Sequence, residues 1–263
     1  MLKVLCFSKD RPLQLHGYLE SLSFCGQVYP EDISVIYAKS PHYKPLVEFF
    51  PRVNFIEEDQ QFDKVFRDYI NSLDDKDLII PGCDDVVYYR MFPLYALSQA
   101  MLDPSLLGFS LRLGKNIKSS PVIGNNFPVI TWEWAKAGSH WGYPFELMAT
   151  LYRVSFIKEL LKNCQIELKS PNYFESFGVN YCINNGVSKT HPYLAMFNTN
   201  NYCAAQDINR VQHDFPNKFG GTEDQSAEKL IEAYNSGKRL AWWNLWDIAP
   251  SDCFVQNNYF KLV

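Results

Sequence analysis

Short apolar runs alternate with amphipathic stretches along the first eighty positions of the chain. Leu2 to Phe7, Ile33 to Ala38, Val53 to Ile56 and Leu78 to Ile80 are runs bounded by polar or breaking residues, the pattern of buried strands. Between them, Leu13, Leu15, Tyr18, Leu19 and Leu22 recur at helical spacing. Pro12 suits the first turn of that helix. Leu46 to Phe50 predicts a short helix, and Phe62, Val65, Phe66, Tyr69 and Ile70 line one face of another. The order β-α-β-α-β-α-β predicts a parallel sheet with crossover helices.

Beyond the fourth strand the alternation loosens. Phe92 to Met101 predicts a helix and Leu106 to Leu113 a strand that ends in Gly114-Lys115-Asn116. Residues 117 to 145 are rich in Pro, Gly, Asn and Trp and predict loops with short strands, Val129 to Trp134 among them. Leu147 to Leu161 and Phe174 to Ile183 predict helices, the second after a break at Pro171-Asn172. Residues 198 to 225 are polar and irregular, and Ala227 to Ser236 predicts a short helix stopped by Gly237. The aromatic tail, Trp242 to Phe260, has no clear period and is expected to dock on the core.

The segment Leu78-Ile79-Ile80-Pro81-Gly82-Cys83-Asp84-Asp85 carries the first chemical signal. Pro81 and Gly82 are expected to stop the strand. Two adjacent carboxylates then stand at its C-terminal end, where ligands bind in open α/β sheets. Adjacent carboxylates repel unless a cation or donors neutralise them. One reading is a divalent metal held against nucleotide phosphates. The other is a solvated turn, in which Asp is common.

The first strand-to-helix loop, Phe7-Ser8-Lys9-Asp10-Arg11-Pro12, is the second signal. A helix N-terminus favours phosphate. Arg11 offers a fork suited to a diphosphate, and Asp10 suits a base or ribose. Alternatively, Ser8 or Asp10 caps the helix and Arg11 is solvated. Neither a Gly-x-Gly-x-x-Gly nor a P-loop occurs here, which weakens dinucleotide and triphosphatase readings.

With 263 residues, 47% hydrophobic and 21% charged, the chain is globular. A net charge of −4 argues against a nucleic-acid binder that relies on bulk electrostatics. Aromatic content of 16% suits stacking surfaces for bases or sugar rings. Seven scattered cysteines without a Cys-x-x-Cys suggest neither a disulfide framework nor a zinc site. No stretch approaches the ~20 apolar residues of a membrane span. These features predict a cytoplasmic protein, with peripheral contact at the inner face of the membrane compatible with its aromatic tail.

Phe7-Ser8-Lys9-Asp10-Arg11-Pro12-Leu13-Gln14-Leu15 resembles the opening of bacterial GT-A-fold, nucleotide-sugar-dependent glycosyltransferases of the family 2 type. Further segments match the same group in order: Asp84-Asp85-Val86-Val87, Phe109 to Asn116, Trp141-Gly142-Tyr143-Pro144, Pro171-Asn172 followed by Glu175, and Asn209-Arg210-Val211-Gln212. The resemblance covers roughly positions 3 to 240. It implies a GT-A-like, mostly parallel sheet with helices on both faces. It also implies transfer of a sugar from a UDP- or GDP-linked donor to a saccharide or glycoconjugate acceptor, as in polysaccharide biosynthesis, with Mn²⁺ or Mg²⁺ on the diphosphate.

The resemblance assigns roles residue by residue. Ser8, Lys9, Asp10 and Arg11 would hold the nucleotide. The Asp-x-Asp motif carries over imperfectly: Cys83 stands where a first Asp would be, Asp84 would meet the ribose or donor sugar, and Asp85 would bind the metal. Glu175 lies 175 − 85 = 90 positions beyond Asp85, matching the general base of inverting relatives; otherwise it supports its helix through the dipole. Relatives often carry Asp-Gly where Met148 and Ala149 stand, which leaves Glu146 as the nearby acid, for the acceptor or as a helix cap. Arg112, aimed inward from a strand end, and Lys115 are donor-site candidates; a structural ion pair is the other reading of Arg112. His213 would complete the metal shell, and Trp132, Trp134 and Trp141 would floor the acceptor site unless they pack in the core.

The expected organisation is one GT-A-like domain over 1–263, with a nucleotide-binding half (1–90), an acceptor-binding half (91–225) and a C-terminal helix with aromatic tail (226–263). Two rival functions are a nucleotidyltransferase of similar fold and a non-catalytic sugar-binding protein on a decayed glycosyltransferase scaffold. Cys83, Met148 and Ala149 favour the second rival, and the lack of a Gly-rich first loop disfavours the first.

Overall fold

The computed structural model describes residues 1–118, 128–212, 221–246, 248–255 and 259–263. The first half follows the predicted alternation: β1 (Leu2–Ser8), α1 (Pro12–Gly26), β2 (Ile33–Ala38), α2 (Lys44–Phe49), β3 (Asn54–Glu58), α3 (Phe62–Ser72) and β4 (Leu78–Cys83). Then come β5 (Val86–Tyr88), α4 (Leu94–Ala100), β6 (Leu106–Ser110), β7 (Val129–Glu133), β8 (Thr150–Arg153), α5 (Val154–Asn163), α6 (Pro171–Asn184), α7 (Val187–Thr190), β9 (Tyr193–Phe197), β10 (Cys203–Ala205) and α8 (Ala227–Asn235).

Eight strands form one sheet in the order β3-β2-β1-β4-β8-β6-β9-β7, and β10 pairs with β5 in a separate antiparallel ribbon. β1 runs parallel to both β2 and β4. β8 is inserted antiparallel between β4 and β6. The sheet separates two apolar layers. Val4, Cys6 and Ile80 face the layer formed with α1, whereas Leu5, Phe7 and Ile79 face the layer formed with α3, α5 and α6. This alternation follows the period of two along a strand covered on both faces.

Two sequence expectations are corrected. β4 does not stop at Pro81 and Gly82; both stay in register with β1, opposite Leu5 and Cys6. β8 pairs only with Leu78 and Ile79; beyond them the Pro81 carbonyl accepts the Ala149 N–H at 3.0 Å, and the regular ladder that would need a proline N–H has ended. Gly82 admits the Tyr18 ring, since a Cβ there would meet the Tyr18 hydroxyl at 2.7 Å. The strand therefore delivers Asp84 and Asp85 three residues farther along than the apolar run suggests. The predicted helix Leu147 to Leu161 also divides, into β8 and then α5. Its first residues bury both faces of a strand between β4 and β6, and this tertiary demand overrides their helical spacing.

The aromatic tail docks on the core as expected. Leu240 bridges Leu262, and Phe254 bridges Ala205 at the end of β10. Trp242 is buried, while Trp243 and Trp246 remain 48% and 40% exposed. No described helix is long and apolar enough to cross a membrane.

Candidate active site

The C-terminal ends of β1 and β4 lie side by side, and the Asp84 N–H donates to Phe7 O at 3.1 Å. In the order 3-2-1-4, connections leave β1 in opposite directions, so a crevice opens at these strand ends. Ser8, Arg11, Asp84 and Asp85 meet there. Asp10 adopts φ +52, a left-handed conformation that Asp tolerates, and this bend turns Arg11 into the protein.

The Arg11 guanidinium is fully engaged. Nη1 lies 3.0 Å from both Asp84 Oδ1 and Asp85 Oδ2. Nε donates to Asn209 Oδ1 at 2.9 Å, and Nη2 donates to Asn209 O. The Ser8 hydroxyl donates to Asp84 Oδ2 at 2.7 Å and accepts from the Tyr43 hydroxyl at 2.7 Å. The Tyr43 oxygen accepts the Arg11 backbone N–H at 3.2 Å. Asp84, 3% exposed, thus has both oxygens committed inside the protein. Burial lifts its carboxyl to about 6, against the opposing pull of Arg11.

These contacts engage three of the predicted donor-site side chains within the protein: Arg11 is the buried counter-ion of the Asp pair, Asp84 anchors the loop through both oxygens, and Ser8 bonds Asp84. Lys9 is exposed and Asp10 half-buried at the rim, where a nucleotide can reach them. Asp85 is the more open member of the pair, its side chain 18% exposed against 4% for Asp84.

Asp207 was not foreseen. It follows β10 in a tight turn in which the Ile208 N–H donates to Gln206 O at 2.8 Å. The turn is pinned on both sides: the Gln206 N–H donates to Asp85 O at 2.8 Å, and Asn209 is held by Arg11. Asp207 is therefore bracketed against the Asp85 loop. Burial, and next the charge of Asp85, raise its carboxyl to about 7. Hard carboxylate oxygens from two elements fit Mg²⁺ or Mn²⁺ in their chemistry. His213, expected as a metal ligand, lies outside the described residues.

Arg112 and Glu146 build a second buried polar group. They form an ion pair, Nε to Oε2 at 3.3 Å, with side chains 4% and 3% exposed. Arg112 is thus paired with a carboxylate inside the protein, and Lys115 is exposed with its backbone N–H bound to Thr199 O. Glu175 lies in the second turn of α6. Burial and then the charge of Glu146 lift its carboxyl to about 7, while Arg112 pulls it down. The Cys83 thiol, raised first by burial, feels Asp85, Asp84 and Glu175 together.

The three tryptophans are core residues, which corrects their assignment to the acceptor floor. Trp132, Trp134 and Trp141 are 3%, 2% and 0% exposed. Trp132 donates to Trp141 O at 2.8 Å, and the two rings meet edge-on at 5.1 Å. Tyr143, in the same segment, is instead exposed. Ligand atoms of His140, Asp252 and Cys253 also gather within 4.8 Å. Arg112 Nη1, 3.5 Å from His140 Nδ1, adds positive charge beside that trio, so it does not fit a cation.

No family model matches the chain. It is 28% identical over 280 residues to the bifunctional glycosyltransferase pgtA of Dictyostelium discoideum. That match covers 91% of this chain and 36% of the relative, so the chain spans about a third of the curated relative's length. In fold it is similar to TarS of S. aureus, with a TM-score of 0.50 at 10% identity over 78% of this chain and 36% of that one. A second TarS structure, residues 1–349 in complex with UDP-GlcNAc, has a TM-score of 0.47 at 13% identity, over 85% of this chain and 63% of that one. Sequence and fold agree with the resemblance that the motifs carry: the architecture is GT-A-like, and the sequence relative is a glycosyltransferase.

Proposed function

We propose that this chain transfers a hexosyl group from a UDP- or GDP-linked sugar to a hydroxyl of a saccharide acceptor, with inversion at the anomeric carbon. The observation that carries the reading is the placement of Glu175. It stands half-buried in the second turn of α6, where burial and then the charge of Glu146 lift its carboxyl to about 7. A general base works best when its pKa lies near the operating pH. The glycosyltransferase relative supports the reaction class.

Lys9 and Asp10 line the rim where the nucleotide would enter. Asp85 and Asp207 would hold a divalent cation, which when bound neutralises the leaving diphosphate. Arg11 fixes Asp85 and, through Asn209, the turn that carries Asp207. Glu175 takes the proton from the acceptor hydroxyl as its oxygen attacks the anomeric carbon. The bond from that carbon to the diphosphate oxygen breaks in the same displacement, and the electron pair leaves with the nucleoside diphosphate. The C-terminal half around Tyr143 would receive the acceptor. All seven cysteines are free thiols, which supports a cytoplasmic setting.

The test is a transfer assay with UDP- and GDP-sugars and Mn²⁺, with the product's anomeric configuration read by NMR. Glu175→Gln keeps shape but cannot accept a proton, so turnover should fall by roughly 10²-fold with donor affinity unchanged. Transfer within a factor of about three of the parent, less than half a tenfold step in barrier, would sink the assignment. A parent that neither transfers nor hydrolyses any donor would favour the non-catalytic sugar binder.

A further inference from the structure

Three stretches of the chain are nearly free of charge. Ser21 to Pro30, Val86 to Leu102 and Leu240 to Trp246 hold one charged side chain between them, Arg90, although charged residues make up 21% of the whole. The fold brings these stretches together. The short turn Trp242–Leu245 packs on the last turns of α1, with the Phe24 ring 5.5 Å from Trp242 and edge-on to Trp246 at 5.7 Å. At the end of α1 the Cys25 carbonyl accepts the Phe92 N–H at 3.1 Å, and the Phe92 ring lies against Gly26. Met91 therefore stands beside the same helix end.

Uncharged segments that meet usually bury their large side chains, but here several face solvent. Phe24 is 56% exposed, Met91 49%, Trp243 48% and Trp246 40%. Exposed apolar groups gathered in this way mark a surface that something covers. Cations border it. Arg239 and Ala241 bond Val263 and Lys261 through their backbones, which sets Lys261 next to Trp242. Lys238 and Lys261 are exposed, and neither pairs with an acid among the described residues. The one acid of α1, Glu20, is held by His16 Nε2 at 3.2 Å.

We propose that this face, centred on Phe24, Trp243 and Trp246, docks the protein on a lipid bilayer that carries anionic headgroups. Tryptophan rings suit the headgroup layer, where an apolar body and a polar edge are both satisfied. Lysines at the border reach lipid phosphates. With a net charge of −4 the chain as a whole is repelled by an anionic surface. A face with unpaired lysines, whose aromatic segments carry no acidic side chain, is the one on which it can approach. The orientation follows from α1. Arg11 and the crevice lie at its N-terminal end and Phe24 near its C-terminal end, roughly 20 Å apart at 1.5 Å per residue. The docked protein thus keeps its crevice clear of lipid and open to solvent.

Flotation of the full chain with phosphatidylcholine vesicles, with and without phosphatidylglycerol, tests this. The parent should float with the mixed vesicles. The double variant Trp243→Ser, Trp246→Ser should lower the partition coefficient by about tenfold or more, since burying one large apolar side chain already contributes that much. The double variant Lys238→Gln, Lys261→Gln should lower it by about fivefold per lysine on the anionic vesicles alone. All four side chains are exposed, so both variants should melt like the parent. Quenching of the parent's tryptophan emission by brominated lipid is a second reading that needs no variant to fold. Trp132, Trp134 and Trp141 are buried, so quenching reports the tail. A parent that neither floats nor is quenched would overturn the proposal, and so would flotation that the tryptophan variant leaves unchanged. Equal flotation on neutral and anionic vesicles would overturn the role of the lysines. A dimer in analytical ultracentrifugation that Trp246→Ser abolishes, with no vesicle binding, would assign the face to a second copy of the chain instead.

Discussion

Arg11 Nη1 stands 3.0 Å from a carboxylate oxygen of Asp84 and 3.0 Å from one of Asp85. One buried guanidinium therefore neutralises two adjacent acids at the end of β4, while its other nitrogens hold Asn209 from 198 positions away. The fork ties the first loop, the acidic turn and the segment after β10 into a single node. Arg11→Met should cost about 3–5 kcal/mol, the cost of leaving a buried charge without its partner. Arg11→Lys should recover only part, because a point charge cannot span four acceptors. Urea denaturation of the three proteins checks both statements, and a loss below about 1 kcal/mol would place Arg11 among exposed pairs.

Asp85 and Asp207 come from different elements and meet only in the folded chain. Asp85→Asn and Asp207→Asn should each weaken Mn²⁺ binding by tenfold or more, about 1.4 kcal/mol. Asp252→Asn, beside the His140 trio that does not fit a cation, should leave it unchanged. Calorimetric titration with Mn²⁺ separates these outcomes without any donor present. If Asp252 proves to matter and Asp207 does not, the cation site has been placed at the wrong pair.

The local part of this site was legible in the sequence and the distant part was not. Ser8, Arg11, Asp84 and Asp85 stand at the ends of strands whose apolar runs are continuous, so their convergence follows from a parallel sheet. What they bond to does not follow, because Asn209 and Asp207 lie in a polar, irregular stretch without periodicity. Helix α3 was readable from Phe62, Phe66, Tyr69 and Ile70, which are all buried as its spacing requires. β8 was not, because the partners of Leu151 and Tyr152 are Phe109 and Ile79, far away in the chain. Trp132, Trp134 and Trp141 misled because ring chemistry alone does not distinguish a sugar platform from a core. Ala149 is instructive in another way: at φ +85 it holds a backbone angle that ordinarily favours glycine, which its residue type does not announce.

Trp141 is fully buried, packs edge-on against Trp132 and donates its indole N–H to Lys118 O at 3.2 Å. Trp141→Ala should therefore act on stability. The expected loss is about 3–5 kcal/mol, as for large-to-small changes in a packed core. At a temperature where the variant remains folded, the KM for acceptor should stay within about twofold, less than one tenth of the stability effect in population terms. A variant with normal melting and a much raised acceptor KM would return Trp141 to the acceptor site.

Glu175 links the chemistry to the pH dependence of stability. Its carboxyl titrates near 7 in the folded chain against 4.5 without the fold, chiefly through burial and then through Glu146. A carboxyl with a raised folded pKa binds its proton more tightly when folded. Its contribution to stability is fully present below pH 4.5 and is lost as pH rises through 7. Glu175→Gln is neutral throughout and escapes that loss. The full shift corresponds to roughly 3 kcal/mol, but the side chain is only half-buried, so solvent screening reduces the expected gain to about 1–2 kcal/mol. The variant and the parent should melt alike at pH 4. At pH 8 the variant should melt higher by roughly 2–8 °C, given 2–4 °C per kcal/mol for a chain of this size. The variant that loses turnover is thus expected to be the more stable protein at neutral pH, because the site holds an ionised carboxylate where the fold favours a neutral group. Calorimetric melting at the two pH values decides the matter. A gap that does not change with pH would mean that Glu175 titrates as an ordinary carboxylate and is not poised to take a proton at neutrality.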